Sequence, residues 1–410
     1  MADPATRTVR RRVLLVAEAV TLAHVGRLVS LATALPPERY DITLATDPRY
    51  NHLLGSLPYP VERLDTIPAE RFFRALQNGS PIYDAATLER YVEDDRRLLA
   101  EYKPDVVVGD FRLSLDVSAK LARVPYVTVT NAYWSLYARI RYPVPELPLT
   151  RILGVGSGQR VFDLFRPLAF RLHARPMNRL RKRHGLKPLE PADVRHVYTH
   201  ADYTLYADLP ELVPLAGQPA NHRFLGPVLW SPPCDRPPWW NDLPSDRPIA
   251  YVTLGSSGPA SVLPGVLEAL AQLAIPAVVA TAGRAPRLAA AANVWLTDYL
   301  PGEQTAARAS LVVCNGGSPT CYQALAAGVP IVGIPANLDQ YLNMSLVEHA
   351  GAGLLVRSGQ ASAARLRSAI QRVLGSPSYR DRSLALQRAM ETHHAGHAFA
   401  SFLDGLPAHV

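Results

Sequence analysis

Short runs of β-branched and other apolar residues alternate along the chain with longer segments in which apolar residues recur every three or four positions. The first pattern predicts buried strands and the second predicts amphipathic helices, for example at 25–35, 85–101 and 114–122. Strands that alternate with helices predict an α/β fold with parallel sheets covered by helices. The predicted strands are 13–17, 41–45, 106–108, 126–129 and 203–206 in the first half, and 249–254, 277–281, 294–297, 311–314, 331–334 and 354–356 in the second.

A proline-rich segment separates the two halves, because seven of the 22 residues from 227 to 248 are proline. Proline fixes its own φ and cannot donate to a sheet, so this segment is predicted to be a stiff interdomain linker. We therefore expect two Rossmann-like domains, 1–226 and 249–378, that face each other across a cleft at the carboxyl ends of their strands. The remaining segment, 379–410, has a helical pattern and is long enough to pack back across the cleft onto the N-terminal domain.

Composition excludes several classes of protein. With 48% hydrophobic and 19% charged residues among 410, the chain can bury large cores and is not disordered. The net charge of +8 is small for this length; it favours an anionic ligand more than nucleic acid, and no nucleic-acid partner is expected. Three cysteines exclude a disulfide scaffold and suit a reducing compartment. No segment is typical of an export signal or a membrane span, so a soluble, cytoplasmic protein is expected.

The positions of the glycines indicate which kind of ligand site the chain can form. The turn after the first predicted strand, 17–24, has none of the glycines that let a backbone approach the pyrophosphate of a dinucleotide, which disfavours an oxidoreductase. The glycine run at 154–158 has the wrong spacing for such a site and is predicted to be a loop. In the second half, Asn315-Gly316-Gly317-Ser318-Pro319-Thr320 lies between a predicted strand and helix, and Gly255-Ser256-Ser257-Gly258 follows another strand. Two such loops predict a diphosphate site at a helix N-terminus, although ordinary turns are the alternative explanation.

The segment 314–343 resembles the donor-binding signature of the inverting nucleotide-sugar glycosyltransferases, the family with the GT-B fold that includes plant and mammalian glucosyl and glucuronosyl enzymes and bacterial antibiotic glycosyltransferases. The resemblance continues through 351–353, and weaker matches lie at 226–227, 251–258 and 298–301. It implies that a nucleoside-diphosphate sugar, with uridine or thymidine as the nucleoside, is a co-substrate and that no other cofactor is needed. No metal-binding cluster is evident, and none is expected. The implied donor-binding residues are Ser256, Tyr299, Asn315, Gly316, Gly317, Ser318, Thr320, Gln323, Asp339 and Gln340.

The same resemblance implies a catalytic pair. His24 follows the first predicted strand, where a cleft residue belongs, and would be the general base, for which imidazole is suited by its near-neutral pKa. Asp110 ends a later strand and would hold the other ring nitrogen. A structural histidine and a helix-capping aspartate are the ordinary explanations for these residues. The expected reaction is a single displacement that moves a hexose to a hydroxyl of a small acceptor with inversion.

Departures from the family pattern leave other functions open. Asn315 stands where the family has a histidine, and Gln323 stands where it has a ribose-binding glutamate. A nucleotide-sugar-binding auxiliary protein with little turnover is therefore an alternative, and a nucleotide-sugar 2-epimerase, which uses the same fold, is a further one. Tyr133 and Trp134 suggest an apolar acceptor pocket or ordinary packing. The basic stretch 160–187 has nine Lys and Arg among 28 residues, with interleaved apolar residues. It is predicted to be a solvated face or, alternatively, a patch that contacts the acceptor or a membrane surface.

Overall fold

The structure is a computed structural model that describes residues 10–284 and 293–407. Within these ranges strands and helices alternate as predicted. The strands are β1 (Arg11–Ala17), β2 (Tyr40–Thr46), β3 (Val61–Arg63), β4 (Val106–Asp110), β5 (Tyr126–Thr130), β6 (Tyr203–Tyr206), β7 (His222–Phe224), β8 (Ala250–Thr253), β9 (Ala277–Ala280), β10 (Val294–Thr297), β11 (Leu311–Cys314), β12 (Ile331–Gly333) and β13 (Gly353–Leu355). The helices are α1 (Leu22–Thr33), α2 (Ala69–Asn78), α3 (Ala85–Tyr102), α4 (Leu115–Ala122), α5 (Pro148–Arg183), α6 (Val194–Thr199), α7 (Leu263–Gln272), α8 (Gly302–Arg308), α9 (Ser318–Ala326), α10 (Leu338–His349), α11 (Ala363–Gly375), α12 (Pro377–Met390) and α13 (Ala395–Asp404).

The strands form two parallel sheets, one in each half of the chain. The first has seven strands in the order β3-β2-β1-β4-β5-β6-β7, and the second has six in the order β10-β9-β8-β11-β12-β13. Pairing of β1 with β4 sets Ala17 opposite Asp110, and pairing of β8 with β11 sets Thr253 opposite Cys314. In each sheet the strand order reverses at this central pair, which is where doubly wound folds bind ligands.

Both faces of each sheet are covered, which explains why the strands are continuous apolar runs. Along β1, Val13 and Leu15 belong to one core while Leu14 and Val16 belong to the core on the opposite face. Strand β11 alternates in the same way between two further cores. The predicted α/β architecture of two Rossmann-like halves is confirmed.

The C-terminal helix α13 packs on the first half of the molecule. Phe399, Phe402 and Leu403 are buried in the same core as β1 and α1. The hydroxyl of Tyr40 in β2 donates to the Oδ1 atom of Asp404 over 2.5 Å. Strands of the first half and the last helix of the chain therefore share one core.

The proline-rich segment 227–248 contains no strand, and its regular structure is a 3-10 helix at Pro238–Asp242. Its side chains contact both halves. The ring of Trp230 lies against Gly26 of α1, where an added Cβ would be 2.3 Å from the ring, and the backbone carbonyl of Trp230 accepts from Gln323 of α9.

The prediction of a loop at 154–158 is wrong, because these residues lie within α5. The helix is interrupted at Gly154, whose φ of 72° is outside the helical region, and resumes at once. The C-terminal half of α5 is fixed by buried Phe170, Ala174, Met177 and Leu180. Packing of that half outweighs the low helix propensity of the glycines. No helix in the described residues is both long and apolar enough to cross a membrane.

Candidate functional site

Two loops of the first half meet at the reversal point of its sheet. Strand β1 leads into α1, which places His24 in the first turn of that helix, and β4 ends at Asp110 on the neighbouring strand. The Nδ1 atom of His24 lies 2.7 Å from Oδ1 of Asp110. Asp110 is buried, whereas the His24 side chain is 19% exposed. The two residues predicted to form a catalytic pair are therefore in direct contact, and Asp110 does not cap a helix.

Phe111 packs against a face of the His24 ring. The two rings stack with centroids 4.9 Å apart and an interplanar angle of 10°. Phe111 has a φ of 60°, a conformation that a bulky residue rarely adopts. Rings of Phe72 and Tyr198 pack against Phe111 and keep it there. The strained backbone of Phe111 therefore places its aromatic face against the imidazole of His24.

A buried arginine contacts the second oxygen of the carboxylate. Arg27 of α1 lies 3.4 Å from Oδ2 of Asp110 and donates to Oδ1 of Asn131 over 3.0 Å. Burial alone would lower the pKa of Arg27, but the carboxylates of Asp110 and Asp208 outweigh it and hold this pKa above its usual value. Arg27 therefore stays a cation and fixes which oxygen of Asp110 faces the histidine.

The glycine loop of the second half lies between β11 and α9. Gly316 has a φ of 77°, which glycine adopts without strain, and an added Cβ would lie 3.0 Å from Met344. The side chain of Asn315 accepts from the backbone N–H of Gly317 over 3.0 Å and donates to Ser257 over 3.2 Å. Gly317 is the N-cap of α9, and Ser318 and Thr320 of the first turn, whose N–H groups have no partner within the helix, line the cleft between the two halves.

Several predicted donor-binding residues also make contacts within the protein. Gln323 donates to Ser231 and to the carbonyl of Trp230. Gln340 is buried; its side chain donates to Ser257 and accepts from the N–H of Ala336. Both amides therefore have to share or exchange these hydrogen bonds if they bind a ligand.

A cleft of about 460 Å³ lies between the two halves. It is bordered by His24 and Asp110 on one side and by the loops after β8 and β11 on the other. Gly316 is the only predicted site residue that does not line it; its N–H donates to the sulfur of Cys314 instead. The predicted residues that line the cleft are His24, Asp110, Tyr133, Trp134, Ser256, Tyr299, Asn315, Gly317, Ser318, Thr320, Gln323, Asp339 and Gln340.

Hydrogen bonds cross the cleft and join its two walls. Asn131 donates to Ser318 over 3.1 Å, and the indole N–H of Trp134 donates to Asp339 over 2.8 Å. The buried carboxylate of Asp208 accepts from Asn131 and from the hydroxyl of Tyr322 in α9, each over 3.0 Å. A continuous set of polar contacts therefore connects the His24–Asp110 pair to the start of α9.

Sequence reasoning missed Arg27, Phe111 and Asp208 as parts of this site. Arg27 lies three residues after His24, and Phe111 directly follows Asp110, so their proximity to the pair was visible in the sequence. Asp208 comes two residues after the strand predicted at 203–206, which is the local signal for it; its contacts are with residues 77 and 114 positions away, which the sequence does not show.

Comparison with known proteins gives a consistent result. The family model of the erythromycin biosynthesis protein CIII-like C-terminal domain matches residues 265–399. A PGL/p-HBAD biosynthesis glycosyltransferase of Mycobacterium tuberculosis (strain ATCC 25177 / H37Ra) is 50% identical over 408 residues, which cover 100% of this chain and 92% of the relative. A PGL/p-HBAD biosynthesis rhamnosyltransferase of Mycobacterium bovis (strain BCG / Pasteur 1173P2) is 49% identical over 409 residues, covering 100% and 89%. The structure of spinosyn rhamnosyltransferase SpnG complexed with thymidine diphosphate superposes with a TM-score of 0.69 at 18% identity, covering 96% of this chain and 100% of that one.

Proposed function

Because the chain belongs to the glycosyltransferase family with the GT-B fold, we propose that it moves a hexose from a nucleoside-diphosphate sugar to a hydroxyl of a small apolar acceptor. One observation carries the proposal. The His24–Asp110 pair and the glycine loop before α9 lie at the reversal points of two sheets and border one cleft. A base on one wall and an anion-binding helix start on the other are the two groups that such a transfer requires.

For the donor we favour thymidine diphosphate attached to a 6-deoxyhexose such as rhamnose. A relative with 49% identity is named a rhamnosyltransferase, and the structural neighbour holds thymidine diphosphate. Ser318, Thr320 and the N–H groups at the start of α9 would bind the diphosphate, with Ser256 from the facing loop. Tyr299 would stack on the base, and Asp339 would accept hydrogen bonds from the sugar hydroxyls.

In the proposed reaction the acceptor oxygen forms a bond to the anomeric carbon while the bond from that carbon to the diphosphate oxygen breaks. Asp110 occupies Nδ1 of His24, so Nε2 takes the acceptor proton. The carboxylate of Asp110 stabilises the imidazolium. Because the acceptor attacks from the face opposite the leaving group, the anomeric configuration inverts. Backbone donors at the start of α9 stabilise the departing charge without a metal ion.

The acceptor would enter beside aromatic residues of the first half. Trp134, Tyr198 and Phe162 line the cleft near the His24 side, together with Phe72 from α2. Aromatic walls favour an apolar or aromatic acceptor that presents one hydroxyl to the histidine. An epimerase would need several carboxylates free to act on the sugar. Three carboxylates line the cleft among the described residues, and two of them, Asp110 and Asp298, are bonded to His24 and Thr281, which leaves Asp339 for the sugar.

The test combines donor titration with product analysis. Calorimetric titration with thymidine, uridine and guanosine diphosphates would identify the nucleoside, with Asn315→His as a comparison variant that restores the family residue. Thymidine-diphosphate rhamnose and a panel of small phenols are then incubated with the protein in the presence of EDTA. Nuclear magnetic resonance would report the anomeric configuration of the product. A glycoside with inverted configuration supports the proposal.

Three results would contradict it. A product that retains the anomeric configuration would exclude the single displacement. An epimerised nucleotide sugar formed without acceptor would indicate a 2-epimerase. Nucleotide binding without turnover on any acceptor would indicate an auxiliary binding protein.

A further inference from the structure

Helix α5 presents a face that no other part of the described chain covers. Leu164 is 73% exposed, Phe165 54% and Leu168 52%. Removing apolar side chains of this kind from water is favourable, so leaving several together in water is costly. A contiguous exposed apolar surface on a soluble domain is typical of an interaction site.

Basic side chains lie on the same face of the helix. Residues spaced by three or four are neighbours on a helix surface, and this spacing joins Arg160, Leu164, Leu168, Leu172, Arg175 and Arg179. All six are exposed. Within the described residues these three arginines make no ion pair, and Asp163 is the single acidic residue between 152 and 187. The face therefore has leucines in its middle and arginines at both ends, and no carboxylate on it neutralises these arginines.

From this combination we propose that α5 docks the protein on an anionic lipid bilayer. A helix with leucines and arginines on one face lies in the headgroup region, its apolar side chains entering the acyl boundary and its cations contacting anionic headgroups. A second copy of the chain fits less well, because two such faces would oppose arginine with arginine. Nucleic acid would not require the exposed leucines.

The position of α5 connects this surface to the cleft. Phe165 is exposed and also lines the cleft, together with Phe162, Arg166 and Ala169 of the same helix. Docking would therefore bring the acceptor side of the cleft to the bilayer surface. An amphiphilic acceptor could then pass between bilayer and cleft along aromatic side chains without crossing water.

Sedimentation with lipid vesicles tests membrane docking. Because the assay contains no sugar donor, a negative result would refute docking without bearing on the proposed sugar transfer. The full chain is mixed with vesicles of phosphatidylcholine alone or with phosphatidylglycerol added. We expect binding to the mixed vesicles that weakens with salt. Leu164→Ser/Leu168→Ser should reduce partitioning by about tenfold or more. Arg175→Gln/Arg179→Gln should reduce it by about 25-fold, at roughly fivefold for each charge.

Matched controls lie elsewhere on the surface. Leu121→Ser removes a leucine that is 38% exposed on α4, and Arg372→Gln/Arg388→Gln removes two exposed arginines of α11 and α12. Both should bind vesicles as the wild type does, and circular dichroism would verify that every variant is folded. Absence of wild-type binding to the mixed vesicles would overturn the proposal. So would unchanged binding of the α5 variants, or a wild-type dimer that Leu164→Ser/Leu168→Ser converts to a monomer.

Discussion

Replacing Asp110 with asparagine should reverse the hydrogen bond that orients His24. Oδ1 of Asp110 faces Nδ1 of His24 at 2.7 Å, and Oδ2 faces the guanidinium of Arg27 at 3.4 Å. Arginine can only donate, so the single amide oxygen of an asparagine would turn toward Arg27. Its NH₂ group would then donate to Nδ1 of His24. The ring proton would move to Nε2, and the ring could not accept a proton from the acceptor.

The size of the effect follows from this reversed tautomer. General base catalysis contributes about 10²–10⁴ in rate, and a base in the wrong tautomer loses nearly all of it. We expect Asp110→Asn to lower kcat by about 10³–10⁴, which is about 4–5.5 kcal/mol in activation free energy. Single-turnover formation of the glycoside measures this loss. Nucleotide affinity, measured by calorimetry, should change by less than about twofold, because the donor loop belongs to the other half of the chain.

A double-mutant cycle isolates the part played by Arg27. In an Arg27→Met background the amide oxygen of an asparagine at 110 is free to face His24, which restores the productive tautomer. Asp110→Asn should then cost only about tenfold relative to Arg27→Met alone. The reasoning is refuted if Asp110→Asn alone keeps more than about a tenth of the wild-type rate, or if the two changes are additive.

Two further predictions concern buried ionisable groups. Arg112 is fully buried, 3.1 Å from Glu18 and 2.9 Å from Asp95, so Arg112→Met should lower the free energy of unfolding in urea by about 3–5 kcal/mol. Burial raises the pKa of Glu18 and the charge of Arg112 lowers it, so loss of Arg112 should raise this pKa further. A carboxyl group with a raised pKa destabilises the fold increasingly as pH rises, so the loss of unfolding free energy in Arg112→Met should grow with pH. A loss independent of pH would be a contrary result. Burial lowers the pKa of His222 from 6.5 to about 4, so the stability present above pH 6.5 is lost as pH falls toward 4. His222→Gln should flatten that part of the stability curve measured by thermal unfolding, and an unchanged slope would count against this assignment.

Much of the fold could be predicted because its signals are local. Buried parallel strands are apolar on both faces, so β1, β4 and β11 were visible as uninterrupted runs. The edge strands β3 and β7 have only three residues each, Val-Glu-Arg and His-Arg-Phe, and carry no such pattern. A strand of this length is defined by its neighbour in the sheet, and sequence alone does not supply that neighbour.

The candidate site divides in the same way. Asp110 ends a strand, the loop at 315–320 follows a strand, and His24 lies in the first turn of the helix after β1, so the carboxyl ends of the parallel sheets bring them to the cleft. Asn131 and Asp208 also come just after strands, but their place in the site depends on how the two halves pack, since their partners Ser318 and Tyr322 lie on α9 in the other half. The loop predicted at 154–158 fails for a related reason. Local propensity predicts a loop there, whereas tertiary contacts in the C-terminal half of α5 stabilise a long helix.

The most direct test of the account is the rate of sugar transfer in His24→Ala and His24→Gln beside the affinity of the same proteins for thymidine diphosphate. If His24 takes the acceptor proton, both variants should transfer about 10²–10⁴ more slowly than the wild type. Their affinity for the nucleotide should be unchanged, because His24 lies on the opposite wall of the cleft from the loop before α9. Transfer by His24→Ala at the wild-type rate would contradict the central claim.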